Sequence, residues 1–337
     1  MSRPRRDPSK WERPLATIYE VAKRAGVSPA TVSRVFNGSV VSAEKERLVR
    51  AAAEELAFTP NRTARTLRRQ SSEIIALVIP DIENPFFTSL ARGVEDSAKA
   101  AGYSVVLCNT DEDTEKEAHY LRIAVLENMA GVIIAAASDR SDLAPLLARS
   151  RAVVAVDRGP HGFDIDAVMV DNRTGGRLAT RALIDHGCRR IACITGPADV
   201  ETAQRRSEGW SDALRGAGLE IGEGYLRHAD FRVDGGRDAM RALLALDPRP
   251  DAVFVANNLM SVGALQALFA AGLDPTSFGF ATFGDLPFAA MAPKGMTIVH
   301  VPARDLGVTA ANMLLQRING DREPPRTVVL RNRVTTT

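Results

Sequence analysis

The sequence predicts a small all-α N-terminal domain followed by a larger α/β domain of two lobes, each a doubly wound parallel sheet. Helix caps are closely spaced over residues 17–58, and strand-like apolar runs alternate with helical stretches after residue 72. The length of 337 residues allows two or three domains. Residues 1–70 hold 15 Lys and Arg against 7 Asp and Glu, whereas residues 71–337 hold 28 against 34. A basic head on an acidic body indicates that the head binds a polyanion.

The first helix is predicted from its caps. Residues 1–16 are polar and rich in Pro and Arg, which predicts a disordered basic arm. Thr17 and Glu20 then form a T-x-x-E capping box that begins a helix. Gly26 ends this helix, because a residue without Cβ adopts the left-handed conformation readily.

Two further helices complete the N-terminal domain. Ser28 and Pro29 begin the second helix, and a third runs over about 42–57. Its inward face is predicted to hold Leu48, Val49, Ala52 and Leu56. A three-residue turn between two helices, with a third helix behind them, predicts a helix-turn-helix headpiece over residues 17–58. The alternative is a small helical bundle with a solvated polar face.

Eight buried strands are predicted in the larger domain. They are separated by helical segments, as in parallel sheets whose connections are helices. Ligands of such folds bind at the carboxyl ends of the strands. The predicted strands are Ile74–Ile79, Ser104–Cys108, Gly131–Ala135, Val153–Val156, Ile191–Ile194, Val253–Ala256, Phe278–Phe283 and Thr297–Val301.

Other classes of protein are disfavoured by what the sequence lacks. The longest apolar runs, such as 74–79 and 132–137, are far shorter than the roughly 18 residues of a membrane span. The basic first residues lead into no apolar segment, so we expect no secretory signal and a cytoplasmic protein. Neither metal-ligand spacing nor a nucleotide-binding or nucleophile motif occurs, so we expect no metal, no cofactor and no enzyme activity.

Two long segments of the head carry a resemblance to a known family. TIYEVAKRAGVSPATVSRVFNGS and VSAEKERLVRAAAEELAFTPNRTARTLRRQSS closely resemble the DNA-binding headpiece of LacI-family transcription regulators. In the larger domain, PDIENPFF, VDRGP, VDNRTGGRLA, RRSEGW and VANNLMSVGAL resemble landmarks of the family's effector domain, which shares its fold with periplasmic sugar-binding proteins. The resemblance covers about residues 17–335 and implies a repressor. The rival functions, a transport solute-binding protein or an α/β enzyme, leave the head unexplained.

The resemblance implies how the head contacts double-stranded DNA. Base edges would be read by Pro29, Ala30 and Arg34, of which only Arg34 can donate to guanine in bidentate fashion. The alternative for Arg34 is a phosphate contact. Further contacts to the DNA backbone are implied for Thr17, Tyr19, Ser28, Thr31, Ser33, Asn37 and Asn61. Thr17 and Ser28 could serve instead as helix caps.

A hinge is implied over residues 59–72. It resembles the family's hinge helix, which pairs with a second copy in the minor groove, and its implied DNA contacts are Ala64, Leu67 and Arg68. Leu67 matches an apolar wedge that kinks the duplex, although it could instead pack on the effector domain. Family members bind near-palindromic operators as dimers. The C-terminal tail has no heptad repeat that would join two dimers through a coiled coil, so we expect a homodimer.

The family pattern also implies the limits of the two lobes. The effector domain spans 73–335. Lobe one takes about 73–171 and 302–320. Lobe two takes about 172–300 and 323–335, with a last strand near Val328.

A small-molecule effector is implied in the cleft between the lobes. The matching positions are Phe86, Phe87, Asp157, Arg158, Thr202, Arg206, Phe231, Asn257 and Asp285. Among these, Phe86 could instead be core, Arg206 part of a structural ion pair, and Asn257 a helix cap.

The cleft departs from the family pattern at one position. Gly284 stands where relatives often have a ligand-binding Asp, and Asp285 could reach into the empty position. Loss of one acidic group beside Arg158 and Arg206 favours an anionic effector, a sugar acid or sugar phosphate, over a neutral sugar. Whether the effector strengthens or weakens DNA binding stays open.

Overall fold

The computed structural model describes residues 16–36, 40–58, 72–138, 141–149, 151–159, 162–286 and 293–337. The chain divides into two compact units, Met1–Gln70 and Ser71–Thr337. We call them the headpiece and the large domain. The predicted arm and hinge lie outside the described residues, apart from Ala16 and Ser72.

The headpiece contains three described helices, α1 (Ile18–Ala25), α2 (Pro29–Phe36) and α3 (Ala43–Glu55). The capping box begins α1, since the Thr17 hydroxyl accepts from the Glu20 amide (3.3 Å) and the Glu20 carboxylate accepts from the Thr17 amide (2.6 Å). Gly26 ends α1 at a φ of 65°.

The core of the headpiece is built from small apolar side chains of all three helices. Its buried members are Val21, Ala22, Ala25, Val32, Val35, Val49, Ala52 and Ala53. The prediction that Leu48 faces inward is wrong, because its side chain is 41% exposed. Consecutive helical residues point about 100° apart, and here Val49 occupies the core position.

The large domain holds two sheets, which confirms the predicted α/β class. The strands of sheet one are β1 (Ile74–Ile79), β2 (Ser104–Asn109), β3 (Gly131–Ile134), β4 (Ala152–Val156), β5 (Asp166–Val170) and β11 (Thr327–Leu330). The strands of sheet two are β6 (Ile191–Thr195), β7 (Leu226–His228), β8 (Ala252–Val255), β9 (Gly279–Phe283), β10 (Met296–His300) and β12 (Arg333–Thr336). Sheet one has the order β11-β5-β4-β3-β1-β2 and sheet two the order β12-β10-β9-β8-β6-β7. All described strand pairs are parallel except β10 with β12.

Helices cover both sheets. Those of lobe one are α4 (Pro85–Ala100), α5 (Thr114–Leu126), α6 (Ala144–Leu147) and α11 (Ala303–Ile318). Those of lobe two are α7 (Asn172–Asp185), α8 (Glu201–Gly216), α9 (Val233–Leu244) and α10 (Asn258–Ala270). Within the described ranges, no helix combines the length and apolar character that a membrane crossing requires.

The C-terminal tail corrects the predicted lobe limits. Residues 323–335 were assigned to lobe two, but β11 pairs in parallel with β5 of sheet one, with Val328 opposite Val168. Only β12 joins sheet two, where it runs antiparallel to β10. The chain crosses between the lobes at 331–332, where the Asn332 side chain donates to the Asp171 carbonyl (3.0 Å). No Gly or Pro marks this crossing, so the tail resembles a single strand in sequence.

Candidate functional site

One cleft in the large domain contains most of the predicted effector contacts. Its walls come from segments that follow the carboxyl ends of the strands and from the first turns of the next helices. The cleft has about 590 Å³ of empty volume, part of it open to solvent. The predicted residues that line it are Phe86, Phe87, Asp157, Arg158, Thr202, Arg206, Phe231 and Asn257.

Sequence reasoning missed further lining residues. Some follow strand ends, as Asp81 follows β1 and Glu112 follows β2, so the strand-end rule was a usable signal for them. The residues not predicted as contacts are Asp81, Asn84, Glu112, Asp230, Arg232, Asn258, Phe283, Gly284 and Val301.

Asp285 is placed differently from the prediction. It is not among the residues that line the cleft, and its Oδ1 lies 2.5 Å from Nδ1 of His300. Nε2 of the same imidazole lies 2.6 Å from the Thr335 hydroxyl. A nearby imidazole donor thus engages the carboxylate that was expected to reach the ligand. Gly284 lines the cleft instead, at a φ of 94°.

Asp157 brings a buried carboxylate to the cleft. Its backbone has a φ of 65°, in the left-handed region, where a residue with a Cβ is strained by about 1–3 kcal/mol. Its Oδ1 is buried and has no hydrogen-bond partner among the described residues. Burial raises the pKa of this carboxyl, and the guanidiniums of Arg206 and Arg158 offset part of the effect. A strained residue with an unpartnered acceptor is a candidate ligand contact.

Arg158 is held in a buried ion pair. Its Nη1 and Nη2 donate to the two carboxylate oxygens of Glu112 (2.7 and 2.6 Å), and Nη1 also donates to the Ala136 carbonyl (2.7 Å). Burial disfavours the charge on Arg158, but the Glu112 carboxylate outweighs it, so the pKa of the guanidinium is raised. Its Nε is buried without a partner among the described residues.

Arg206 is buried on α8. Its Nε donates to the Asn172 side chain (2.8 Å) and Nη1 to the Ala256 carbonyl (2.9 Å). Its Cζ lies 4.1 Å from the centre of the Phe283 ring, a cation–π distance. Burial lowers the pKa of Arg206 to about 10, so the side chain is still protonated at neutral pH.

A close helix contact places Arg206. A Cβ built on Gly176 of α7 would lie 2.2 Å from the Arg206 carbonyl oxygen, and one on Gly209 of α8 would lie 2.1 Å from the Arg173 carbonyl oxygen. The two glycines therefore let the backbones of α7 and α8 approach, which brings the Arg206 side chain to the cleft.

Polar contacts cross the cleft from lobe to lobe. The Asn258 amide of lobe two donates to the Asn84 side chain of lobe one (3.1 Å). Nη1 of Arg232 lies 3.2 Å from Oδ2 of Asp81. The Gly159 amide donates to Glu201 (3.2 Å). These contacts join residues from both sides of the cleft.

Asn257 combines two roles that the sequence left as alternatives. Its Oδ1 accepts from the Met260 amide (3.0 Å), which caps α10. The residue also lines the cleft. The helix cap therefore fixes the side chain of a cleft residue.

The charges of the cleft do not support an anionic effector. The expectation required guanidiniums free to bind an anion, but Arg158 is paired with Glu112 and Arg232 with Asp81. Arg206 interacts electrostatically with the buried carboxylate of Asp157, and this interaction acts to raise the pKa of the Arg206 guanidinium. Asp230 adds a further carboxyl group to the lining.

The predicted DNA-reading face lies on the surface of the headpiece. Pro29, Ala30 and Arg34 are exposed along α2, and the Tyr19 side chain is 70% exposed although it is large and aromatic. Thr31 and Ser33 are partly exposed. The remaining predicted contacts, Asn37, Asn61, Ala64, Leu67 and Arg68, lie outside the described residues.

Two predicted phosphate contacts already serve as caps. The Thr17 hydroxyl donates to the Glu20 carboxylate (2.8 Å), so in this structure its one proton is directed at Glu20. The Ser28 hydroxyl accepts from the Thr31 amide (3.2 Å) and lies 3.0 Å from the Thr31 hydroxyl. Only one of the Ser28 and Thr31 hydroxyls donates in their mutual hydrogen bond. The other hydroxyl keeps its proton for a contact with phosphate.

The described parts of the chain contain no group of three or more His, Cys, Asp or Glu side chains that could hold a metal ion.

Comparison with known proteins identifies the family. A model described as periplasmic binding proteins and sugar binding domain of LacI family matches residues 72–335. One described as bacterial regulatory proteins, lacI family, matches residues 17–61. The ribose operon repressor of Escherichia coli (strain K12) is 38% identical over 308 residues, 90% of this chain and 93% of the relative. The transcriptional repressor PurR of Pasteurella multocida (strain Pm70) is 34% identical over 309 residues, 90% and 92% of the two chains.

Solved structures resemble the whole chain. The complex of the transcriptional regulator CelR with cellobiose matches at a TM-score of 0.73 and 32% identity, covering 95% of this chain and 98% of that one. The lac repressor dimer bound to operator and the anti-inducer ONPF matches at a TM-score of 0.84 and 25% identity, covering 96% and 98%. With a family match over the large domain and a second over the headpiece, this chain belongs to the LacI family of bacterial regulatory proteins.

Proposed function

We propose that this chain is a sequence-specific transcriptional repressor whose affinity for operator DNA is controlled by an uncharged sugar bound between the two lobes. The observation that carries the proposal is the cleft itself. Residues from both lobes line one cleft in a chain whose first 70 residues are basic and include the helices of a helix-turn-helix. The cleft and the headpiece together fit a regulator better than a transport protein or an enzyme, and binding to chromosomal DNA would place the protein in the cytoplasm.

On the DNA side, two copies of the chain bind a near-palindromic operator, one headpiece to each half-site. Arg34 reads a guanine through O6 and N7, while exposed Pro29 and Ala30 contact apolar base edges such as a thymine methyl. Tyr19 and the polar residues of α2 contact the DNA backbone, which sets the register without carrying sequence information. Leu67 acts as the wedge at the centre of the site.

On the effector side, the cleft suits a ligand with several hydroxyl groups. Among the described residues, Oδ1 of Asp157 is a buried acceptor without a partner and Nε of Arg158 is a buried donor without one. Ligand hydroxyls both donate and accept, so they suit both kinds of atom. The Phe86 and Phe87 rings, 4.9 Å apart and nearly perpendicular, supply an apolar wall. The names of the relatives are consistent with this chemistry, since one represses a ribose operon and one is bound to cellobiose.

The proposal is tested by selecting bound DNA from a random pool with the purified full chain, and then measuring binding to the selected site with and without sugars. The panel contains D-ribose, other pentoses, hexoses, cellobiose, hexuronates and sugar phosphates. We expect a near-palindromic consensus and a change in affinity with an uncharged member. Selection of no consensus would contradict the repressor assignment, and a response to an anionic sugar alone would contradict the effector assignment.

A further inference from the structure

Glu112 lies in a loop whose backbone is unusual. Asp111 and Glu112 have φ values of 54° and 60°, two consecutive residues in the left-handed region. Residues with a Cβ are disfavoured there, and such strain persists where the surroundings enforce it, often at functional sites. Glu112 lines the cleft, with its side chain 31% exposed.

The neighbouring residues clamp this loop on both sides. The Asn109 side-chain amide donates to Oδ1 of Asp111 (2.7 Å), and Nζ of Lys116 lies 2.5 Å from Oδ2 of the same carboxylate. Asn109 is fixed in turn, because its Oδ1 accepts from the Ile82 amide (2.9 Å). Asp113 caps the first turn of α5 through the Glu115 and Lys116 amides. The position of the Glu112 carboxylate is therefore set by the loop.

The clamped carboxylate occupies the Nη1–Nη2 edge of Arg158, one of the edges through which a guanidinium binds an anion. Its two oxygens accept from Nη1 and Nη2 at 2.7 and 2.6 Å, the paired arrangement in which a carboxylate or phosphate ligand would bind the guanidinium. A ligand anion would have to displace Glu112 or approach beside its charge. Both cost free energy, the first through a broken buried ion pair and the second through repulsion.

A second cavity, beside the same ion pair, also has an acidic lining. Glu112 and Arg158 line both cavities, and the second also has Asp199 and Glu201 in its lining. Among the described residues that line it, three are acidic and Arg158 alone is basic. The lining of this second cavity therefore disfavours an anion beside the ion pair.

We propose that Glu112 is a specificity-determining residue that occupies the anion-binding edge of Arg158, so that the site accepts uncharged sugars and rejects sugar acids and sugar phosphates. This inference rests on the proposed sugar site. Glu112 acts here through Arg158, as a positioning residue and as a charge that a ligand anion meets.

The test uses inorganic phosphate as the probe, with the full chain and isothermal titration calorimetry. Glu112→Gln removes the charge at nearly constant volume, and we expect it to bind phosphate about tenfold more tightly than the wild type, or better. The double variant with Arg158→Met should lose this gain, because the guanidinium is its source. Glu115→Gln, which removes an equal charge from an exposed position of the same region, should bind phosphate as weakly as the wild type does.

Equal phosphate affinity in Glu112→Gln and the wild type would overturn the inference, as would a gain that survives Arg158→Met. Should the Glu112 variants fail to fold, the wild type decides: phosphate binding that competes with a neutral sugar overturns the inference, and absence of competition supports it. Operator release by the neutral sugars, measured on the wild type, tests the proposed function separately. A gain in phosphate binding without any sugar response would uphold the anion exclusion and reject the sugar effector.

Discussion

The contact between α7 and α8 gives the sharpest prediction from the fold. Gly176→Ala would put a Cβ 2.2 Å from the Arg206 carbonyl oxygen, whereas ordinary contacts lie at 3.4–4 Å. The helices must therefore separate by about 1 Å, and overpacking of this kind costs about 1–3 kcal/mol of folding free energy. Because Arg206 belongs to the displaced segment, its guanidinium shifts relative to Asn172 and the Phe283 ring. We expect weaker sugar binding together with lower stability.

Two measurements on each variant check this prediction. Thermal unfolding should show a melting temperature several degrees lower for Gly176→Ala, at about 2–4 °C per kcal/mol for a domain of this size. Calorimetry with the active sugar should show a higher Kd. The matched control is Gly216→Ala at the end of α8, where a Cβ would meet no atom within 4 Å. That variant should bind sugar normally and be up to about 1 kcal/mol more stable, because Ala favours the helix.

Wild-type stability in Gly176→Ala would show that the helices are not in the close contact described. Lower stability with unchanged sugar affinity would remove Arg206 from the effector site while leaving the fold intact. The first result therefore bears on the contact between the helices, and the second on the place of Arg206 in the effector site.

Three further predictions concern individual side chains. Arg34→Ala should cost about 1–3 kcal/mol of operator affinity and relax the preference for guanine at one position of each half-site, as binding to single-base operator variants would show; uniform weakening on all sequences would indicate a phosphate contact instead. Leu67→Ala should reduce operator affinity and DNA bending, read by gel mobility of circularly permuted fragments, while sugar binding stays unchanged; equal bending by both proteins would reject the wedge. Burial raises the pKa of Asp157, so the native state binds more protons than the unfolded state in the window between the unfolded-state pKa, about 4, and the raised native pKa, and the stability that this group contributes is lost as pH rises through that window. Asp157→Asn should remove that slope from denaturant titrations across pH, and an unchanged slope would contradict the assignment.

Much of the cleft was predictable from the family resemblance, which supplied Asp157, Arg158 and Asn257. The structure places Asp157 and Arg158 directly after β4 and Asn257 two residues after β8, at strand ends where ligands of this fold class bind. Glu112 was missed because its role depends on a partner 46 residues away, a pairing that a local pattern does not reveal.

The differences between prediction and structure also come from contacts between residues that are distant in sequence. Asp285 was predicted to reach the ligand, yet His300, 15 residues further along the chain, offers a nearer partner through the neighbouring strand. The tail was predicted in a single lobe because the crossing between β11 and β12 carries neither Gly nor Pro. The expectation of an anionic effector rests on Arg158 and Arg206, and the structure adds the carboxylates of Glu112 and Asp157 beside them. In each case the long-range pairing decided the outcome.

The central claim is that one chain couples a sugar in the cleft to operator DNA at the headpiece. The most direct test is to measure the operator Kd with and without saturating sugar, and the sugar Kd with and without saturating operator, using the same preparation. Linkage requires the two ratios to be equal, and we predict a common factor of roughly 5 to 150. A ratio of one in both measurements, with each ligand still bound, would contradict the claim.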